Sequence, residues 1–256
     1  MQKEKIIKYS FIMPYHKRLE QLKSTLESFL YFYHDRKDYE VIIVEDKKQD
    51  VTEDDKAQLR DLVGSYQGKI NIKILCSGSD DVYNPAELFN RGAVEALGDY
   101  LVITNPECMH AADILSGFDT EILKKPEVYI VCANLSVSQK TLSVEQVAQV
   151  QGTWYQHSIH RNVMVHFCAC LSKHQFIAIG EFDENYSKGY CFEDDDFRNK
   201  IIHAKISIIT RDDLLTIHLN HDKGSVPDML EKHNINKKYY DNKWGAEVIR
   251  AEDFKL

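Results

Sequence analysis

This chain has 256 residues, and its first glycine is Gly64. The opening apolar run is therefore followed by "MPYHKRLE", with no Gly-rich turn. There is no GxGxxG after the first run and no GxxxxGK[ST] anywhere, which excludes a dinucleotide dehydrogenase and a P-loop NTPase. HExxH, GxSxG and zinc-type cysteine spacing are also absent. The 6 cysteines form no CxxC pair and no disulfide framework. Cys168 and Cys170 would share one side of a strand as small buried side chains. Lys/Arg clusters are lacking, and the net charge is -8, which argues against nucleic acid as a partner. No apolar run approaches the ~18 residues that span a bilayer, so no transmembrane segment is expected. The start "MQKEKIIKYS" lacks the apolar stretch of a signal peptide, so the expected location is cytoplasmic.

What is present is an ordinary globular composition, 43% apolar and 28% charged. The first half alternates strand and helix. "KIIKYSFIMP", "YEVIIVED", "KINIKILC" and "DYLVIT" read as buried strands. Between them lie the helical stripe Leu19, Leu22, Leu26, Phe29 and Leu30, the helix "DDKAQLRDLVGSY", and "NPAELFNRGAVEALG". In the last of these, Asn84 is an N-cap, Pro85 opens the helix and Gly98 stops it. This spacing predicts βαβ units and a mainly parallel central sheet flanked by helices. The second half reads as strands "EVYIVCANLSV", "HFCACLS", "KISIIT" and "LLTIHL", helices at "SKHQFIAIG" and "FEDDDFRNKIIHA", and a polar helical tail. One domain over 1–256 is expected. The regular half is about 1–110, and the less regular half, with the helical tail, is about 111–256.

Ligands bind beyond the carboxyl ends of strands in such sheets. Acids gather at those ends. Glu45 and Asp46 close the second strand, where a carboxylate can accept hydrogen bonds from a base edge or a ribose. In "TNPECMH", Asn105 and Glu107 flank a stiffening proline, and two oxygen donors there can address one cation and its diphosphate. His218 and His221 in "IHLNHDK" suit Mn²⁺ or a similar ion when joined by a carboxylate. Each of these, taken singly, also reads as a solvated loop. The run Glu193-Asp194-Asp195-Asp196 favours a helix's first turn through the dipole. Successive helical residues rotate by ~100°, so one or two of the four would face a cleft. Crowding by like charge would raise the pKa of at least one, as suits a base working near neutral pH. Phe11, Tyr15, Trp154, Tyr190 and Trp244 could stack on sugars, although core or rim packing is the commoner role.

In this order, the motifs resemble the family 2 glycosyltransferases of GT-A, Rossmann-like fold, over roughly residues 8 to 246. "SFIMPYHKRLEQLKSTLESF" looks like that family's opening strand, Pro-Tyr turn and helix, with His16 where Asn is usual. "YEVIIVED" looks like its strand ending in paired acids, with Glu45 for the commoner Asp. "GEFDENYSKGYCFEDDDF" is similar to its "GGFDE" loop and the Glu-Asp pair that follows. "YYDNKWG" resembles a common C-terminal segment. Locally, "YNPAELFNRGAVEAL", "FEDDDFRNKI" and "HLNHDK" resemble the β-1,4-galactosyltransferases, whose acidic run holds the catalytic base and whose later histidine binds Mn²⁺. The family's Asp-x-Asp is Asn105-Pro106-Glu107 here.

The resemblance implies an inverting transferase that moves a sugar from a nucleotide-diphosphate donor, a UDP-sugar, to a hydroxyl of a glycan or other acceptor. It also implies a nucleotide-binding half at about 1–110 and an acceptor-binding half at about 111–256. Pro14, Tyr15, Arg18, Glu45 and Asp46 would contact base and ribose. Asn84 and Arg91 would face the donor, and Asn105 would hold the ribose or a phosphate. Glu107 with His218, or alternatively His221, would hold Mn²⁺ or Mg²⁺. Asp194 would be the base, with Glu193 orienting it or binding the acceptor. Asp195 and Asp196 would serve the helix start or solvent. The altered Asp-x-Asp favours a non-catalytic relative as the alternative. A sugar nucleotidyltransferase is disfavoured by the missing glycine turn.

Overall fold

Val41 to Val44 is an unbroken run of branched side chains, and it forms the centre of β2, Tyr39–Asp46. Such side chains are stiff against a helical turn and pack well on a pleated surface. The computed structural model describes residues 7–47, 50–77, 85–222 and 228–245. β1 (Tyr9–Tyr15) runs parallel to β2, with Tyr15 opposite Glu45. β3 (Ile72–Ser77) flanks β2, and β4 (Tyr100–Thr104) flanks β1, both in parallel. All four deliver their carboxyl ends to one edge of the sheet. Pairing of β4 on β1 ends at Ile12, two residues before Pro14, which has no N–H to give.

Alternate residues of these strands feed two cores. Phe11, Met13, Val41 and Ile43 pack under α1 (Leu19–Tyr33), α2 (Glu53–Ser65) and α4 (Ile114–Lys124). Ile12, Ile42 and Val44 pack under α3 (Pro85–Glu95), α5 (Lys173–Ala178) and α6 (Glu193–His203). Gly92 brings α3 down onto the sheet, since a Cβ there would collide with Ile12 and press on Val44.

Beyond β4 the sheet changes character. Its order is β3-β2-β1-β4-β8-β6-β9-β5, with a ninth strand, β7, also on β6. β8 (Cys168–Ser172) is antiparallel to β4 and to β6 (Val128–Val137). β9 (Ser207–His218) is parallel to β6, while β5 (Cys108–His110) and β7 (Gly152–Gln156) are antiparallel to their neighbours. The expected parallel sheet thus holds for β1 to β4, and the whole is mixed. The two strands read at "KISIIT" and "LLTIHL" are one strand, β9. Its register on β6 jumps from Arg211 to Leu215, so the charged residues between are accommodated as a bulge. α7 (Met229–Trp244) closes the described chain and packs Tyr240 against Tyr186 and Phe192. Among the described residues, no helix is long and apolar enough to cross a membrane.

Candidate active site

The turn Asn105–Glu107 is pinned from two sides. Thr25 of α1 donates to the Pro106 carbonyl at 2.7 Å, and the Leu219 N–H donates to the Glu107 carbonyl at 2.9 Å. β5 then pairs Cys108 with His218 at the end of β9. Asn220 is held by Gln21 of α1, whose amide donates to its carbonyl at 2.8 Å. The result sets His218 Nε2 3.8 Å and His221 Nε2 3.6 Å from Glu107 Oε1. One ligand atom from each of these three residues lies within 4.8 Å of the other two, close enough to share one cation. Burial raises the Glu107 carboxyl above its ordinary range, while His221 and Arg18 pull it back down. A buried carboxylate facing two imidazoles is a donor set that a divalent ion would satisfy. Both histidines are therefore brought to Glu107. Asn105 stands beside the cluster, with its carbonyl taken by the Cys108 N–H. His110 is a core residue, wholly buried, with Nδ1 2.6 Å from the Tyr33 hydroxyl.

At the carboxyl ends of β1 and β2, Asp46 is fully buried, with His16 Nδ1 3.5 Å from its carboxylate. Glu45 is also buried, its Oε1 has no hydrogen-bond partner among the described residues, and burial raises its pKa. Arg18 precedes α1 and donates to the His16 and Lys17 carbonyls. Other residues are placed differently from expectation. Tyr15 is 4% exposed and belongs to the α1 core, its hydroxyl receiving the Arg18 N–H. Pro14 is buried within β1. Arg91 is not brought to the cluster; it is half exposed on α3 and paired at 3.0 Å with Glu95, one turn on. Asn84 lies outside the described residues.

The four acids of α6 have distinct surroundings. Asp194 Oδ1 is 3.2 Å from His166 Nε2. Asp195 pairs at 3.1 Å with Arg198, which is buried and also donates to the Val163 carbonyl. Asp196 is fully buried and accepts from Tyr186, Trp244 and Lys243. The expectation that Asp195 and Asp196 serve the helix start or solvent is corrected as to solvent: both lie in the first turn of α6, and each is held by specific partners. Glu193 and Asp194 remain as the acids with strongly raised pKa. Partial burial is the first cause for each. The Asp194 charge adds to it at Glu193, and the Asp195 charge adds to it at Asp194, which rises to about 7 against the pull of Arg198.

The turn that presents this pair is strained. Cys191 and Phe192 both have left-handed backbones, with φ of 63° and 80°. Side chains other than glycine pay for that conformation, and the surroundings must impose it. α7 does so. Asn236 is 1% exposed and donates at 2.8 Å to the carbonyls of both Tyr186 and Cys191. The Tyr190 N–H reaches the Lys232 carbonyl at 3.2 Å, and the Phe192 ring packs on Tyr240 and His233.

Two contributors carried no sequence signal as site residues. His166 lies in an irregular segment, and only the fold brings it to α6. Tyr155 of β7 stacks on His218 at 5.6 Å and 7°, with the Arg161 guanidinium over its ring at 4.8 Å. That stack fixes the plane of one imidazole of the cluster.

Among known proteins, the solved structure of S. aureus TarS 1–349 in complex with UDP-GlcNAc shares the fold, with a TM-score of 0.66 at 15% identity. The match covers 96% of this chain and 69% of that one. A second S. aureus TarS structure gives 0.64 at 15%, covering 96% of this chain and 41% of that one. The mannosyltransferase PcManGT from Pyrobaculum calidifontis, in complex with GDP-Man and Mn²⁺, gives 0.60 at 13%, covering 91% and 65%. This chain thus spans less than two thirds of the length of the latter two. No curated protein matches it by sequence. The family model "Glycosyl transferase family 2" matches residues 10–167, and by that match over more than half its length this chain belongs to glycosyl transferase family 2.

Proposed function

We propose that this chain transfers a sugar from a nucleotide-diphosphate donor, a UDP-sugar, to a hydroxyl of a glycan or other acceptor, in the cytoplasm and with inversion. The observation that carries the reading is the convergence of Glu107, His218 and His221 beyond the end of β4. Glu107 with the two histidines would hold the cation, Mn²⁺ in preference to Mg²⁺, because Mg²⁺ takes oxygen ligands and imidazole suits softer ions. When bound, that ion supplies positive charge to the leaving diphosphate. Asp46, Glu45 and Arg18 would contact base and ribose, and Asn105 would donate to a ribose or phosphate oxygen.

The acceptor oxygen attacks the anomeric carbon opposite the diphosphate. One C–O bond forms and the other breaks, so the anomeric configuration inverts. Asp194 takes the acceptor hydroxyl's proton. Its raised pKa gives it the proton affinity that a base needs near neutral pH. Glu193 would bind the acceptor.

The test is a panel of UDP- and GDP-sugars with Mn²⁺, read as nucleotide release with and without saccharide acceptors. Metal-dependent release is expected from a UDP-sugar. A non-catalytic nucleotide-sugar-binding protein is the second reading, favoured by Asn105 in place of an acid. It predicts a Mn²⁺- and UDP-dependent thermal shift with no release from any donor.

A further inference from the structure

His166 sits two residues before β8 and is 6% exposed. Phe89, Phe182 and Phe197 meet its ring edge-to-face, with centroids at 5.0, 5.0 and 6.2 Å. Nε2 lies 3.2 Å from Asp194 Oδ1. Nδ1 is buried and has no hydrogen-bond partner among the described residues. A neutral imidazole carries one proton. Placed on Nδ1, it would leave a buried N–H unsatisfied and a lone pair facing a carboxylate. Placed on Nε2, it comes within hydrogen-bond reach of Oδ1 and leaves only a lone pair unmatched, which costs less. The aromatic cage also resists charge: burial pushes the imidazole down to about 3, so the ring is a neutral donor across the working range.

We propose that His166 is a positioning residue for the proton acceptor: its Nε2–H holds Oδ1 of Asp194, and Oδ2 is thereby turned to the acceptor hydroxyl. This rests on the reading of Asp194 as the base. Asp194 is 37% exposed, so without an anchor its carboxylate could rotate through several settings. The anchor's chemistry matters as much as its place. Asp195, one residue on, is held by a guanidinium, which favours its ionised form. A guanidinium on Asp194 would lower its proton affinity; a neutral imidazole fixes the carboxylate with far less of that effect. The neighbouring acids are thus assigned to different tasks by their partners. Other groups whose charge is coupled to Asp194 are Glu193, Arg198, the thiol of Cys191, and the hydroxyls of Tyr129 on β6 and Tyr155 on β7.

Two measurements test this. Long-range ¹H–¹⁵N spectra of the whole chain with labelled histidine should show His166 as the neutral Nε2–H tautomer from pH 5.5 to 8.5. A protonated ring or the Nδ1–H tautomer in that range overturns the proposal, and no variant is needed. With the UDP-sugar that the panel identifies, His166→Phe should lower kcat by about 10- to 100-fold with the donor KM within about twofold. His166→Gln, which keeps a donor at similar reach, should recover most of the loss. Equal loss in both variants, or full activity in the Phe variant, sinks the positioning role. Asp194→Asn in parallel separates the two readings. If it retains full turnover, the base assignment fails, while the tautomer result still decides whether His166 donates to that carboxylate.

Discussion

The indole N–H of Trp244 donates to the carboxylate of Asp196 at 2.7 Å, joining the last turn of α7 to the first turn of α6. Lys243 reaches the same oxygen at 2.8 Å, and Lys200 lies 3.6 Å from the other. The fourth acid of the run is therefore a tether between helices. Asp196→Ala would strand buried donors and should destabilise the fold by about 3 kcal/mol. Trp244→Phe, which keeps most of the ring but removes one donor, should cost about 1 kcal/mol. Urea unfolding measures both. A neutral result for Asp196→Ala would show that the tether is not formed in solution.

Asp194 predicts the opposite pattern. Asp194→Asn should fold normally and lose transfer by about 100-fold or more. In the native chain, activity should rise as pH passes through about 7, where Asp194 ionises. The sign for stability follows from linkage. The folded pKa lies above the ordinary aspartate value, so the folded state binds more protons between the two. Stability is then fully present below the unfolded pKa and is lost as pH rises through the folded one. Asp194→Asn removes that loss. The variant should match the native chain in melting temperature near pH 4 and exceed it at pH 8. A variant that melts lower at pH 8 would show that the charge is not under strain.

These two acids also mark what could be read in the sequence. β1 to β4 were legible because branched runs and helical stripes are local patterns. Glu107 and His218 were legible as donors because they sit at strand ends. The division of the acidic run was legible only in part. Helical phase separates Asp194 from Asp196, but it does not say that Trp244 waits for one and His166 for the other. Both partners are distant in sequence and are brought up by packing. Arg91, expected to face the donor, is paired with Glu95 one turn on, a partner that the sequence reading did not single out. β7, with Tyr155, gave no periodic signal because it is a short edge strand on β6.

The metal cluster gives a third prediction. Removing one of three donors from a site of this kind should weaken binding by well over about 10-fold. Glu107→Gln and His218→Ala should each abolish the Mn²⁺-dependent thermal shift, and His221→Ala should do the same. Tyr155→Leu leaves every donor in place but frees the His218 ring, so a smaller loss, about 10-fold, is expected in Mn²⁺ affinity by calorimetry. If His221→Ala binds Mn²⁺ as tightly as the native chain, the cation is held by Glu107 and His218 alone.

Gly189 tests whether α7 sets the geometry of the acids. A Cβ at Gly189 would collide with the Asn236 side chain and the Lys232 carbonyl, and the latter is backbone that cannot swing aside. Gly189→Ala should therefore push α7 outward, break the Asn236 bonds to Tyr186 and Cys191, and cost about 1–3 kcal/mol. Freed of that clamp, Cys191 and Phe192 would relax from their left-handed backbones, and Asp194 would shift with them. Transfer should fall by more than the unfolded fraction accounts for. Gly64, near the end of α2, is the control: nothing lies within 4 Å of a Cβ there. Gly64→Ala should stabilise by about 0.5–1 kcal/mol through the helix backbone and leave turnover unchanged. Equal turnover per folded molecule in both variants would mean that the α6 turn holds its shape without α7.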